Sequence, residues 1–382
     1  MSLSNPIRIQ LNLGNVDVFT FGESTLYGYD SLNHCLIVVS LNDSNTLNDQ
    51  SINRLYFSLS SSNPIRQLIL NEDETIIALI SDKTAFLVYL PQPLKGSHQC
   101  PVNIIPSPSI NNSLIDFVWL SPIHLILVNS QPSSTECHLY LVRPSKSDRI
   151  QYVQTFSVGS SQSKGKTNET PNKKISLHQP SDIVKLNLIK RKQDDSILIL
   201  LFALKADGNI FLMEIDENEL ISNENYLSSS FIGPILLIPS TFDNYGADYS
   251  HSRLICLSNC NSIIVLFTRD KCEINQCIYL NPKMNDYYLY AIDSINLPIN
   301  ENNQRIKSMI IDKLNSNIYY ILDSLSNIYS IELSWNNQTK KSNVQHLIKS
   351  NYFIYQIGLI QTNNKGQCLT IITKTGNPQI KV

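Results

Sequence analysis

Glycine is scarce in this chain, at 12 of 382 residues. Sharp turns must therefore fall on other residues. Asparagine and serine fill the segments between apolar runs, since Asn tolerates left-handed backbone and both bond to nearby backbone groups. Tryptophan occurs twice, and the repeated Trp-Asp and Gly-His signatures of WD40 proteins are missing. The longest apolar runs resemble ILILLFAL at 197–204. Such a run suits a buried strand and falls well short of the roughly 20 residues of a membrane-crossing helix. The opening MSLSNPIRIQLNL has no basic region followed by an apolar core, so no signal peptide is expected and the expectation is a soluble intracellular protein. Neither sign of charge dominates, the net charge being −2. Helical periodicity is absent apart from a short candidate at Asp216–Asn225.

Chemistry-bearing motifs are missing as well. Gly159–Thr167, GSSQSKGKT, has five residues between its glycines where a phosphate-binding loop needs four, and Pro171 forbids the helix that should follow. There is no Gly-x-Ser-x-Gly and no His-Glu-x-x-His. Asp243, Asp248 and His251 fall together in a polar stretch, with no nucleophile placed beside them. Of the eight cysteines, Cys256, Cys260, Cys272 and Cys277 cluster, but their spacings miss the two-residue knuckle of structural zinc. They read as small buried residues. No catalytic residue, metal site or cofactor is expected, and the chain reads as a non-enzyme.

What the chain does have is a recurring cassette. Leu68–Leu90, LILNEDETIIALISDKTAFLVYL, runs apolar–turn–apolar–turn–alternating. Met309–Leu333, MIIDKLNSNIYYILDSLSNIYSIEL, repeats that order, and Ile197–Ile215 gives a partial copy whose Asp207-Gly208 marks a hairpin turn. About twenty-five candidate strands follow one another along the chain. At roughly 40–50 residues per four-stranded blade, the length accommodates seven blades. The fold expected is an all-β, seven-bladed β-propeller divergent from WD40, with 1–382 as a single domain. Trp119 reads as a core residue, and Trp335 as a packing residue just past a strand end. Lys95–Asn112, rich in Pro and Ser, is expected to link two blades.

Arg143–Lys192 holds eleven basic side chains against three acidic ones. Its middle, SSQSKGKTNETPNKK (160–174), has no apolar residue, and 157–180 reads as a disordered basic insertion. A solvated insertion is the first reading. An acidic partner or RNA phosphates are the alternative, weakened for RNA because no aromatics are present there to stack on bases.

The order of features along LYGYDSLNHCLIVVS (26–40), Arg54–Pro91, Gly233-Pro234, IPSTFDNYGADYS and RLICLSNCNSIIVLFT resembles the N-terminal propeller of the nucleoporin 88 family, whose fungal relative is nucleoporin 82. The likeness runs through about residues 16–280, and Asp243-Asn244-Tyr245-Gly246 is its most specific motif. The resemblance implies a scaffold subunit on the cytoplasmic side of the nuclear envelope, at the nuclear pore complex, supporting mRNA and protein export. It also implies other nucleoporins as partners: one carrying an autoproteolytic domain, and the cytoplasmic one that docks the export helicase. No small-molecule substrate and no membrane insertion is implied. A generic intracellular propeller adaptor is the alternative.

Asp243, Asn244, Tyr245 and Gly246 are the candidate partner-binding residues. Tyr245 is either an interface anchor or a packing residue in a turn that Asp243 caps and Gly246 permits. The family's long coiled coil has no counterpart in the heptad-free sequence, and the basic insertion has no family counterpart either. A truncated propeller or a reduced homologue is expected on that ground. With one Phe-Gly pair, Phe21-Gly22, the chain is not a repeat-bearing filament of the permeability barrier.

Overall fold

The computed structural model describes residues 8–10, 16–40, 52–59, 64–92, 98–105, 113–131, 134–143, 149–158, 183–193, 196–205, 210–222, 227–236, 253–259, 262–268, 275–280, 289–295, 306–312, 315, 318–336, 339–349, 354–361, 367–375 and 377–381. Strands dominate it, joined by one short helix, α1 (Glu217–Ser222).

The strands form sheets in chain order, antiparallel except where β9 (His98–Gln99) joins β5 (Ile52–Tyr56). Sheet I holds β2 (Val16–Phe21), β3 (Thr25–Asp30), β4 (Cys35–Ser40) and β5 (Ile52–Tyr56). Sheet II holds β6 (Ile65–Leu70), β7 (Ile76–Ser81), β8 (Ala85–Tyr89) and β10 (Val102–Ile104), while β9 (His98–Gln99) adds to the outer edge of sheet I. Sheet III is β11 (Ser113–Trp119), β12 (His124–Gln131), β13 (Ser134–Val142) and β14 (Ile150–Ser157). Sheet IV is β15 (Ile183–Gln193), β16 (Ser196–Lys205), β17 (Ile210–Asp216) and β18 (Ile232–Leu236). Sheet V is β19 (Arg253–Asn259), β20 (Ser262–Thr268), β21 (Asn275–Leu280) and β22 (Leu289–Ile295). Sheet VI is β23 (Ile306–Ile311), β24 (Ile318–Asp323), β25 (Asn327–Asn336) and β26 (Thr339–Lys349). Sheet VII joins β27 (Ile354–Gln361), β28 (Gln367–Thr375) and β29 (Asn377–Lys381) to β1 (Arg8–Gln10) from the other end of the chain.

This is a β-propeller. The first strands of neighbouring sheets touch in series, β2 with β6, β11 with β15, β15 with β19, β19 with β23, β23 with β27, and β27 back to β2. Ring closure is by hydrogen bonds between β1 and β29, with Arg8 opposite Lys381 and Gln10 opposite Gln379.

Alternation along each strand explains why the runs are apolar throughout. In β4, Leu36 and Val38 face sheet II, whereas Cys35, Ile37 and Val39 face sheet VII. In β7, Ile77 and Leu79 face sheet I, and Ile76, Ala78 and Ile80 face sheet III. In β12, Leu125 and Leu127 turn one way and Ile126 and Val128 the other. Both faces of these middle strands are sealed, so the polar half of an ordinary amphipathic strand is absent. Truncating such a side chain, Leu36→Ala for instance, removes about 2–5 kcal/mol.

Six of the sheets share a further detail. The first strand slips by one residue against the second, leaving Asp17, Arg66, Ile115, Val184, Lys307 and Tyr355 outside the pairing. The residue before each bulge is buried: Val16, Ile65, Leu114, Ile183, Ile306 and Ile354. Such bulges sharpen strand twist, as sheets wound around an axis require.

Several expectations change. Lys95–Asn112 does not merely connect blades: it supplies β10 to sheet II and β9 to sheet I. Trp335 lies inside β25. The short helix is present as α1, and Trp119 is buried edge-on against Phe117 at 5.4 Å. Among the described residues, non-glycine positive φ falls on His34, Glu74 and Ser326; serine takes one such turn, and none of the three is Asn.

Candidate interaction surfaces of the ring

In this topology the turns between first and second strands share one rim, and those between second and third strands share the other. On the first rim, the turn joining β6 to β7 (residues 71–75) ties sheets together. The Asn71 carboxamide oxygen accepts from the N–H groups of Thr75 (3.0 Å) and Ile76 (2.8 Å). Its amide nitrogen donates to the Thr75 hydroxyl at 3.1 Å and to the Pro122 carbonyl of sheet III at 3.0 Å. This self-bonding fixes the turn and holds Glu74 in the left-handed region, φ 55°. The Glu74 carboxylate then accepts from the Glu23 N–H and, at 3.3 Å, from the Tyr27 hydroxyl, both in sheet I.

Gly22 leaves room for the carboxylate at that meeting. A Cβ there would stand 2.4–2.7 Å from the Glu74 carboxyl atoms. The preceding Phe21 lies against Gly358 of β27, where a Cβ would fall 2.2–2.4 Å from its ring. The lone Phe-Gly pair is thus occupied in holding sheet I to its two neighbours.

Charge from the basic stretch also works inside the ring. Lys185 Nζ lies 2.6 Å from Asp116 Oδ1, and the Leu186 N–H donates to Asp116 Oδ2 at 2.6 Å, joining sheet IV to sheet III. Lys190 contacts Glu72 and reaches Glu217 at 3.5 Å. Half-buried Lys307 donates to the Ile354 carbonyl at 2.9 Å, and burial lowers its pKa. The expectation of a merely solvated segment therefore fails for Lys185 and Lys190, which belong to β15. Residues 159–182 lie outside the described residues.

On the second rim two turns match. Asp30 Oδ1 accepts from the N–H groups of Leu32 (3.0 Å) and Asn33 (3.1 Å), and Oδ2 accepts from the Asn33 amide at 2.8 Å. Asp323 Oδ1 accepts from Leu325 N–H (2.9 Å) and Asn327 N–H (2.7 Å); its Oδ2 accepts from the Asn327 amide (2.8 Å) and the Tyr329 hydroxyl (3.2 Å). Each Asp-Ser-Leu turn presents its leucine to solvent, Leu32 at 70% and Leu325 at 42% exposure.

Two buried imidazoles are shifted. Burial pushes His124 down to about 4, its Nδ1 lying 2.9 Å from the Ser121 hydroxyl. His138 is lowered by burial, and Glu136 at 3.7 Å opposes the shift. The free cysteines Cys35, Cys100 and Cys137 are buried, and burial raises each thiol, Cys35 to about 11. Among the described residues no group of three or more His, Cys, Asp or Glu is placed to hold a metal, and no helix is long and apolar enough to cross a membrane. Cys256 lies in β19 and Cys277 in β21, while Cys260 and Cys272 lie outside the described residues. The candidate residues Asp243, Asn244, Tyr245 and Gly246, with Asp248 and His251, also lie outside them.

The matched Asp-Ser-Leu turns, the glutamate tie and the bulge series are features the sequence reading missed. The repeated Asp-Ser-Leu at 30–32 and 323–325 was the available signal for the first.

No protein-family profile and no curated protein sequence matches the chain. Solved structures do. A chain of the Chaetomium thermophilum heterotrimeric Nup82 NTD–Nup159 TAIL–Nup145N APD complex superposes with a TM-score of 0.62 at 10% identity, over 97% of this chain and 95% of that one. A protein from Lactobacillus plantarum gives 0.53 at 9% identity, over 89% and 86%. Saccharomyces cerevisiae Sqt1 reaches 0.48 at 9% identity, over 98% and 97%. At these identities the likeness speaks for fold alone.

Proposed function

We propose that this chain is a seven-bladed propeller, one blade per sheet, acting as a non-enzymatic scaffold nucleoporin. It sits on the cytoplasmic side of the nuclear pore complex, docks other nucleoporins and supports mRNA and protein export. The observation that carries this reading is the end-to-end superposition on a chain of a nucleoporin complex. It agrees with the sequence resemblance over about residues 16–280. Rigidity suits such a role: sheets sealed on both sides leave rim turns and outer edges as the variable surfaces. Asp243, Asn244, Tyr245 and Gly246 are proposed as partner-binding residues, with Tyr245 as the anchor.

A tagged chain should stain the nuclear rim and co-purify nucleoporins. Diffuse cytosolic signal with no nucleoporin among its partners would sink the proposal. Tyr245→Ala should reduce nucleoporin recovery about tenfold, as loss of an aromatic anchor does, while leaving the melting temperature unchanged. The second reading is an adaptor in another multiprotein complex, since the same fold also occurs in a bacterial protein. The same co-purification separates the two.

A further inference from the structure

From Leu333 to Val382 the sequence contains no Asp, no Glu and no Arg, but six lysines: Lys340, Lys341, Lys349, Lys365, Lys374 and Lys381. In a chain whose net charge is −2, this is a local excess of one sign. The fold gathers most of it into one sector. Lys340, Lys341 and Lys349 lie on β26, Lys374 on β28 and Lys381 on β29, in sheets VI and VII, whose first strands touch.

β26 is the last strand of sheet VI, and no described strand pairs with its outer edge. It is 11 residues long, and Asn343, Gln345 and His346 are exposed. β24 pairs with β25 only as far as Glu332, whereas β25 and β26 continue to the pair Asn336–Thr339. Among the described residues, the outer end of the hairpin is therefore a two-stranded ribbon with Lys340 opposite Trp335 and Lys341 opposite Ser334. A ribbon of two strands is marginally stable in water and gains from a third. Sheet I already accepts an extra strand at the equivalent edge, where β9 lies parallel to β5 with Leu55 opposite His98.

We propose that the outer edge of β26 binds an extended acidic polypeptide segment of a partner protein as an added strand. The backbone of β26 supplies the ladder, and Lys340, Lys341 and Lys349 select acidic side chains. Lysine edges discourage pairing between copies of the chain, which leaves an oppositely charged segment as the fitting occupant. Nucleic acid fits less well: the stretch lacks the guanidinium forks suited to phosphates and base edges, and a phosphate backbone makes no use of a strand edge.

The test uses the full chain and a fluorescein-labelled peptide of alternating Glu and Val, as long as β26. Anisotropy at about 0.05 M salt should show saturable binding, weakened on raising salt to about 0.5 M. Lys340→Gln, Lys341→Gln and Lys349→Gln together should weaken it about tenfold or more, with the melting curve unchanged. A milder Lys340→Gln, Lys341→Gln pair serves if the triple variant unfolds. The same peptide N-methylated along one edge should bind at least about tenfold more weakly. Absence of binding at low salt, equal binding by the lysine variants, equal binding of the N-methylated peptide, or tighter binding of a single-stranded RNA of matched charge would each overturn the proposal.

Discussion

Glu74 does two jobs that oppose each other at the level of a single residue. Its left-handed backbone costs about 1–2 kcal/mol for any residue with a Cβ, while its carboxylate takes two hydrogen bonds from sheet I. Glu74→Ala loses the bonds and keeps the strain, whereas Glu74→Gly loses the bonds and relieves the strain. The glycine variant should therefore be the less destabilised by about 1 kcal/mol in denaturant titration. Equal losses would show that the left-handed turn stores no strain. His124 carries a pH dependence. Its folded pKa of about 4 lies below the ordinary 6.5, so the unfolded chain binds more protons in that window. Stability is full above pH 6.5 and falls as pH drops toward 4, by about 3 kcal/mol for this group. Melting temperatures at pH 7 and pH 5 should diverge less in His124→Asn than in the parent. Asp116, buried against Lys185 and the Leu186 N–H, is the remaining test: Asp116→Ala leaves a lysine without its partner carboxylate and should cost about 3–5 kcal/mol.

Strands and turns show which parts of the sequence were readable. Middle strands such as CLIVVS and IIALIS declare themselves because both faces are buried. The strands that escaped reading are β9, β10, β26 and β29, and all lie at or next to a sheet edge. Edge strands need no apolar face, so TKKSNVQHLIK offers no period to detect. NPQIK even contains proline, which reads against a strand. The ties between sheets were hidden for a different reason: Asn71–Pro122 and Glu74–Tyr27 join residues about fifty positions apart, and no local pattern encodes such partners. The candidate motif at 243–246 was legible only through family resemblance. At this scale the Asp-Ser-Leu turns make a prediction. Asp323→Ala removes the acceptor for four donors and should cost about 3 kcal/mol. Asp323→Asn keeps the shape and part of the bonding, so it should fall between. If both substitutions leave the denaturant midpoint unmoved, the carboxylate is not what holds the turn.

For the molecule as a whole, pairing of β1 with β29 is the step that turns a curved stack into a ring. Apolar clusters already join sheet VII to both neighbours, through Ile372 with sheet I and Ile371 with sheet VI, so the three-residue clasp adds to an interface that exists without it. Deleting residues 1–12 should lower the melting temperature by about 5 °C or more while keeping the strand-dominated circular-dichroism spectrum. A wholly unfolded product would mean that closure is a condition of folding and not an increment to it. The clasp also imposes an order of events in the cell. Its first half, Arg8–Gln10, is made more than 360 residues before its counterpart, which begins at Asn377. Throughout synthesis the growing polypeptide must carry an open seam of unsatisfied strand and apolar sheet, exposed to chaperones and to its own neighbours on the same message.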